Sequence, residues 1–148
     1  MRKKNGFTLI ELLVVVAIIG LLITLAVIAR NTQRTRFRDA TRITDLEQVQ
    51  TFLELYFTDH NSYPASSEPL LLGDGNAQCL GDQGFAARCD KPYMAKVPKD
   101  PSAHSYMYTT PSDTDLSSYM IRATLESDSG GLSAGSIVVT PSGIANAK

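Results

Sequence analysis

An excess of either sign of charge is what this chain most plainly lacks: 14 basic and 15 acidic side chains leave a formal net charge of −1 over 148 residues. Such a balance creates no long-range field for a polyanion, which argues against nucleic-acid binding by bulk charge. Histidine is nearly absent. His60 and His104 are solitary, and neither a nucleophile–base–acid motif, a phosphate loop nor a zinc spacing accompanies them, so no enzyme activity and no cofactor are expected. Cysteine is equally scarce, and Cys79 and Cys89 lack the C-x-x-C spacing of redox and metal motifs. A disulfide is their simplest use and two unlinked buried thiols the alternative; a disulfide would persist only outside the cytoplasm. Proline is missing before Pro64, so nothing of that kind interrupts the first 63 residues.

What the sequence does have is one long apolar run. Leu12 to Ala29 carries no charge, and between Phe7 and Ala29 the only ionisable side chain is Glu11. At about 1.5 Å per residue this stretch reaches about 35 Å, enough to cross a bilayer core of roughly 30 Å and too long for an ordinary cleaved signal core. Arg2, Lys3 and Lys4 precede the run, whereas Arg30, Arg34, Arg36 and Arg38 follow it, so charge alone leaves the orientation ambiguous. The expected disulfide puts the carboxy-terminal part in the periplasm or outside the cell. Glu11 is costly at membrane depth and wants a cation there; the alternative is a carboxylate resting among headgroups.

The first 13 residues, with Arg2-Lys3-Lys4-Asn5-Gly6-Phe7-Thr8-Leu9-Ile10-Glu11-Leu12-Leu13 after Met1, resemble the class III signal of type IV prepilins and type II secretion pseudopilins. The resemblance covers residues 1 to about 30. It implies a basic leader (1–6) cut by a prepilin peptidase between Gly6 and Phe7, N-methylation of Phe7, and a transmembrane and polymerisation helix (7–29). A head at 30–148 would lie in the periplasm or outside the cell. It further implies that Glu11 meets the amino terminus of a neighbouring subunit. Many relatives carry a helix-breaking proline near the position of Ile28; with only Gly20 and Thr24 as weak points here, melting of the span should be less marked.

Beyond the span, Phe37, Ala40, Ile43, Leu46, Val49, Leu53 and Tyr56 recur at three- or four-residue spacing, which predicts an amphipathic helix that continues the first and ends near Asp59 to Tyr63-Pro64. Residues 60–92 are rich in Ser, Pro, Gly, Asn and Asp and are expected to have little regular structure beyond the Cys79–Cys89 staple. Alternation of Tyr119, Ile121, Ala123 and Leu125 with polar neighbours predicts a strand, with shorter candidates at 105–109 and 136–140. The expected fold class is α+β: one long helix packed on a small antiparallel sheet, as in pilins. Tyr93 to Pro101 with Tyr106-Met107-Tyr108 is also similar to the head of major pseudopilins, although Ser102-Ala103 stands where Trp-Gly is usual.

Among polar candidates, Asp113, Asp115, Asp128 and Ser129 offer oxygen ligands for calcium, with turn formation and solubility as the alternative explanation. Tyr63, Tyr93, Tyr106 and Tyr108 are either an aromatic ligand surface or core, with core preferred. The chain is thus expected to be a prepilin, held in the inner membrane by one span until it polymerises into a type IV pilus. Alternatives are a pseudopilin acting as a piston in type II secretion and a single-span ligand-binding protein. The implied partners are copies of itself and related pilins, the prepilin peptidase, an inner-membrane assembly platform and the lipid bilayer.

Overall fold

The computed structural model describes residues 7–66, 68–112 and 114–147. One helix, α1, spans Leu9–His60, as the uninterrupted pattern leads one to expect. It contributes to two compact units, one ending at Thr35 and the other comprising Arg36–Lys148. At the carboxyl end Asn61 takes a φ of 54° and donates its N–H to the Phe57 carbonyl at 2.7 Å, a left-handed cap that Asn tolerates.

Seven strands follow in the second unit: β1 (Leu70–Leu71), β2 (Cys79–Gly81), β3 (Gly84–Ala86), β4 (Met107–Thr109), β5 (Met120–Leu125), β6 (Gly135–Thr140) and β7 (Gly143–Asn146). Five make an antiparallel sheet in the order β1-β4-β5-β6-β7, and β2 pairs with β3 in a separate hairpin. On the inner face Tyr108, Ile121, Ala123, Leu125, Ile137 and Val139 are almost fully buried, in one core with Leu46, Val49 and Leu53 of α1. The predicted alternation of β5 is therefore the inward–outward pleat of its central strand. Residues 60–92 hold more structure than composition suggests. Leu70 and Leu71 find partners in Tyr108 and Met107, and β2 pairs with β3; such pairings are non-local or too short to leave a periodic signature. Farther on, β7 folds back on β6 through the Pro141-Ser142-Gly143 turn.

The inward stripe of α1 differs from the expected one at its amino-terminal end. Phe37 is 75% exposed, whereas Asp39 and Arg42 are fully buried, and Ala40 is exposed. Counting back from Leu46 by alternating four and three residues reaches Arg42 and Asp39, so the stripe continues but changes chemistry. Arg42 donates from Nε to Asp100 Oδ2 at 2.8 Å, from Nη1 to Asp39 Oδ1 at 2.7 Å and from Nη2 to Ser102 Oγ at 2.7 Å. Its Nη1 also lies 2.8 Å from Glu126 Oε1, and Arg38 pairs with the same Glu126. Asp39 in turn accepts the Glu126 and Ser127 backbone N–H groups at 2.9 and 2.8 Å. One helical turn thus pins both the segment around Asp100 and the chain leaving β5, with its charges mutually satisfied.

These partners set the acid response of the head. Hydrogen bonding from Arg38, and then Arg42, holds the Glu126 carboxyl at about 2. Burial pushes Asp39 up, but the N–H groups of Glu126 and Ser127, the Ser127 hydroxyl and Arg42 outweigh it and leave it below its ordinary value. Asp100 is likewise pushed up by burial and brought lower overall by Arg42 and Ser102. All three carboxyls bind protons less readily folded than unfolded, so their stabilisation is present above the ordinary carboxylate range and lost as pH falls through the folded values. Near-ultraviolet circular dichroism of the protein in detergent is expected to show the head melting at progressively lower temperature from about pH 4.5 to about 2. A flat profile across that window contradicts this.

Cys79 and Cys89 form a disulfide. It ties β2 to the segment after β3, and a Cβ at Gly81 would lie 3.1 Å from the Cys89 side chain. Replacing both cysteines by alanine is expected to cost about 2–3 kcal/mol, the loop-closure entropy returned to the unfolded chain. The denaturant midpoint should fall accordingly, and by a similar amount for wild type under reductant.

Tyr106 and Tyr108 are fully buried and Tyr63 nearly so; these rings are core, and Tyr93 is packed against it. Three of their hydroxyls donate to acids of α1: Tyr106 to Asp45 at 3.1 Å, Tyr63 to Glu54 at 2.9 Å and Tyr93 to Asp59 at 2.7 Å.

Candidate assembly segment

The helix starts because Thr8 and Glu11 cap it reciprocally. The Thr8 hydroxyl accepts the Glu11 N–H at 3.3 Å, while the Thr8 N–H and hydroxyl donate to Glu11 Oε2 at 2.9 and 2.7 Å. This is a capping box, which satisfies otherwise orphaned N–H groups at a helix start. The Thr-x-x-Glu spacing was legible in the sequence, and the reading of Glu11 as a residue in want of a cation passed over it. Within the chain, the carboxylate already has a partner.

Phe7, Ile10, Glu11, Val14 and Val15 line one shallow groove, so Phe7 and Glu11 share a face. Gly6, Arg2, Lys3 and Lys4 lie outside the described residues. The large apolar side chains from Phe7 to Val27 are all exposed, from 43% at Val15 to 81% at Leu9. That surface is far larger than a water-facing protein leaves uncovered, and α1 is long and apolar enough to cross a membrane. A Cβ at Gly20 would meet nothing, so the chain's own packing does not require glycine there.

The other candidates are dispersed. Among the described residues no three metal-ligating His, Cys, Asp or Glu side chains cluster. Asp115 accepts the N–H and hydroxyl of Ser117, and Asp128 accepts the Ala134 N–H; Ser129 exchanges backbone bonds with Leu132. Asp113 lies outside the described residues. His104 is exposed. His60 is less solitary than its sequence context suggests, stacking on Tyr56 at 4.1 Å with its ring nitrogens 3.1 Å from the Tyr56 carbonyl and 3.2 Å from Asp82.

An exposed apolar helix opening on a carboxylate, joined in sequence to a helix-on-sheet head, defines the architecture of pilin-type subunits. Residues 1–27 match the family model described as the prokaryotic N-terminal methylation motif, and residues 28–133 that of type II secretion system (T2SS), protein G. The chain belongs to the type II secretion system protein G family. It is 30% identical to type II secretion system core protein G of Vibrio cholerae serotype O1 over 120 residues, covering 73% of this chain and 72% of that one. Core protein G of Escherichia coli strain K12 is 27% identical over 106 residues, 71% of each. The type IV wide pilus major component PilA4 of Thermus thermophilus is 38% identical over 71 residues, 48% of this chain and 54% of that one. No solved structure matches the chain.

Proposed function

We propose that this chain is a pseudopilin: a structural subunit trimmed of residues 1–6, N-methylated at Phe7, anchored through 7–29 and polymerised into a short periplasmic filament that serves type II secretion. The head, 30–148, lies on the far side of the inner membrane from the leader. The observation that carries this reading is the exposed apolar helix with its lone carboxylate at Glu11, one turn from Phe7. The protein G match over residues 28–133 supports the pseudopilus ahead of the pilus favoured by sequence alone. The head's buried charges and hydroxyls are engaged in holding loops to α1, which suits a structural subunit.

A second reading, an extracellular type IV pilus, is favoured by the similarity to PilA4. Shearing separates the two: a pseudopilin stays with the cells at native expression, and recovery in sheared surface filaments would move the assignment to a pilus. Both require processing, so intact-mass measurement of membrane material should give a chain that begins at Phe7 and carries one methyl group. A product retaining Arg2 to Gly6 defeats both. Gly6→Ala should block trimming if the peptidase needs an unhindered backbone there.

A further inference from the structure

Arg30 and Arg34 are the first charges after the apolar run, and both are exposed. Neither has an ion-pair partner among the described residues. Spaced four apart on one helix, they are surface neighbours whose like charges repel. No acidic residue occurs between Glu11 and Asp39, and Asp39 is buried against Arg42 and the chain after β5. The helix itself therefore offers these two guanidinium groups no counter-charge, in contrast to Arg38, which has Glu126.

We propose that Arg30 and Arg34 together bind the phosphate of an anionic membrane lipid in the leaflet on the head side. The proposal rests on the reading of residues 7–29 as a membrane span. A helix whose apolar run ends at Ala29 delivers the next turn to the headgroup layer, where phosphate is the abundant anion; beside anionic lipid, basic side chains gain about 1 kcal/mol each. Every cation from residue 30 to 42 is arginine rather than lysine, and the guanidinium fork matches phosphate oxygens in pairs. Basic residues beyond a span also oppose translocation of the segment that follows. Lipid phosphate on that side offsets the opposition.

The test uses the processed, full-length protein in detergent. Native mass spectrometry follows its binding of phosphatidylglycerol and of chain-matched phosphatidylcholine, for wild type and for the variant Arg30→Gln with Arg34→Gln. Wild type should prefer phosphatidylglycerol by about thirtyfold, two arginines' worth, with the preference shrinking at high salt. The double variant should show no preference. Equal retention of the two lipids by wild type, or an unchanged preference in the variant, overturns the proposal. So does displacement of the lipid by an equal concentration of inorganic phosphate, which would make this a site for free anions. Alkaline carbonate extraction of membranes distinguishes the underlying reading: release of the protein defeats the span and the lipid site together, whereas retention without lipid preference defeats the lipid site alone.

Discussion

Arg42→Ala is expected to destabilise the head by about 3–5 kcal/mol, because it removes the shared partner of a buried charge network and leaves carboxylates behind. Arg42 has no exposed side-chain surface, nor do Asp39 and Asp100, which it contacts directly. Alanine strands both carboxylates away from water and releases Ser102 from Arg42. An apolar replacement of similar volume does not repair this, since the acids remain. Arg42→Lys should also fall short, because one ammonium cannot reproduce the fork that reaches Asp100, Ser102, Asp39 and Glu126. Denaturant unfolding of the full-length protein in detergent reads the loss as a lower midpoint. A change below about 1 kcal/mol, the scale of an exposed ion pair, would show that water reaches the network.

Glu11→Ala is expected to leave insertion and the head intact and to reduce filament assembly by two orders of magnitude or more. In the assembled state the carboxylate is proposed to meet the Phe7 amine of a neighbouring copy. A buried pair of that kind contributes little net free energy when made, yet costs about 3–5 kcal/mol when one partner is missing. Alanine also removes the Glu11 half of the capping box, leaving the Thr8 N–H and hydroxyl without their carboxylate acceptor while Thr8 still caps the helix. Glu11→Gln separates the two effects, since glutamine serves at this position of a capping box but carries no charge. If pairing with the amine governs assembly, Gln fails like Ala. If capping governs it, Gln assembles like wild type. Filament yield by electron microscopy or sedimentation, with head folding checked in the same preparations, decides between them.

How much of this was legible in the sequence depends on whether the governing contact is local. The helix declared itself through an unbroken apolar run and a three–four spacing, and β5 through strict alternation at Tyr119 to Leu125. The four buried apolar positions from Leu46 to Tyr56 followed from the same period. Phe37 and Ala40 are apolar but out of phase with the stripe that Leu46, Val49 and Leu53 define, and both are exposed. Extending the spacing of the confirmed core residues lands on Asp39 and Arg42, whose burial depends on Asp100 and Glu126, about 60 and 85 residues away. Nothing in the local pattern announces such partners. β1 and β7 escaped for a related reason, since a two-residue strand and a short weakly apolar one exist only through their neighbours. The Thr8–Glu11 cap is the opposite case, local and fully written in the Thr-x-x-Glu spacing.

Electron cryomicroscopy of filaments assembled from the processed protein tests most directly the proposal that this chain polymerises through its exposed helix, with Glu11 setting the register between copies. The account predicts the Phe7 amine of one copy within about 4 Å of the Glu11 carboxylate of another, both enclosed by apolar side chains from the span. Filaments in which Glu11 faces solvent, or still bonds only to its own Thr8 while every Phe7 amine lies elsewhere, would contradict it.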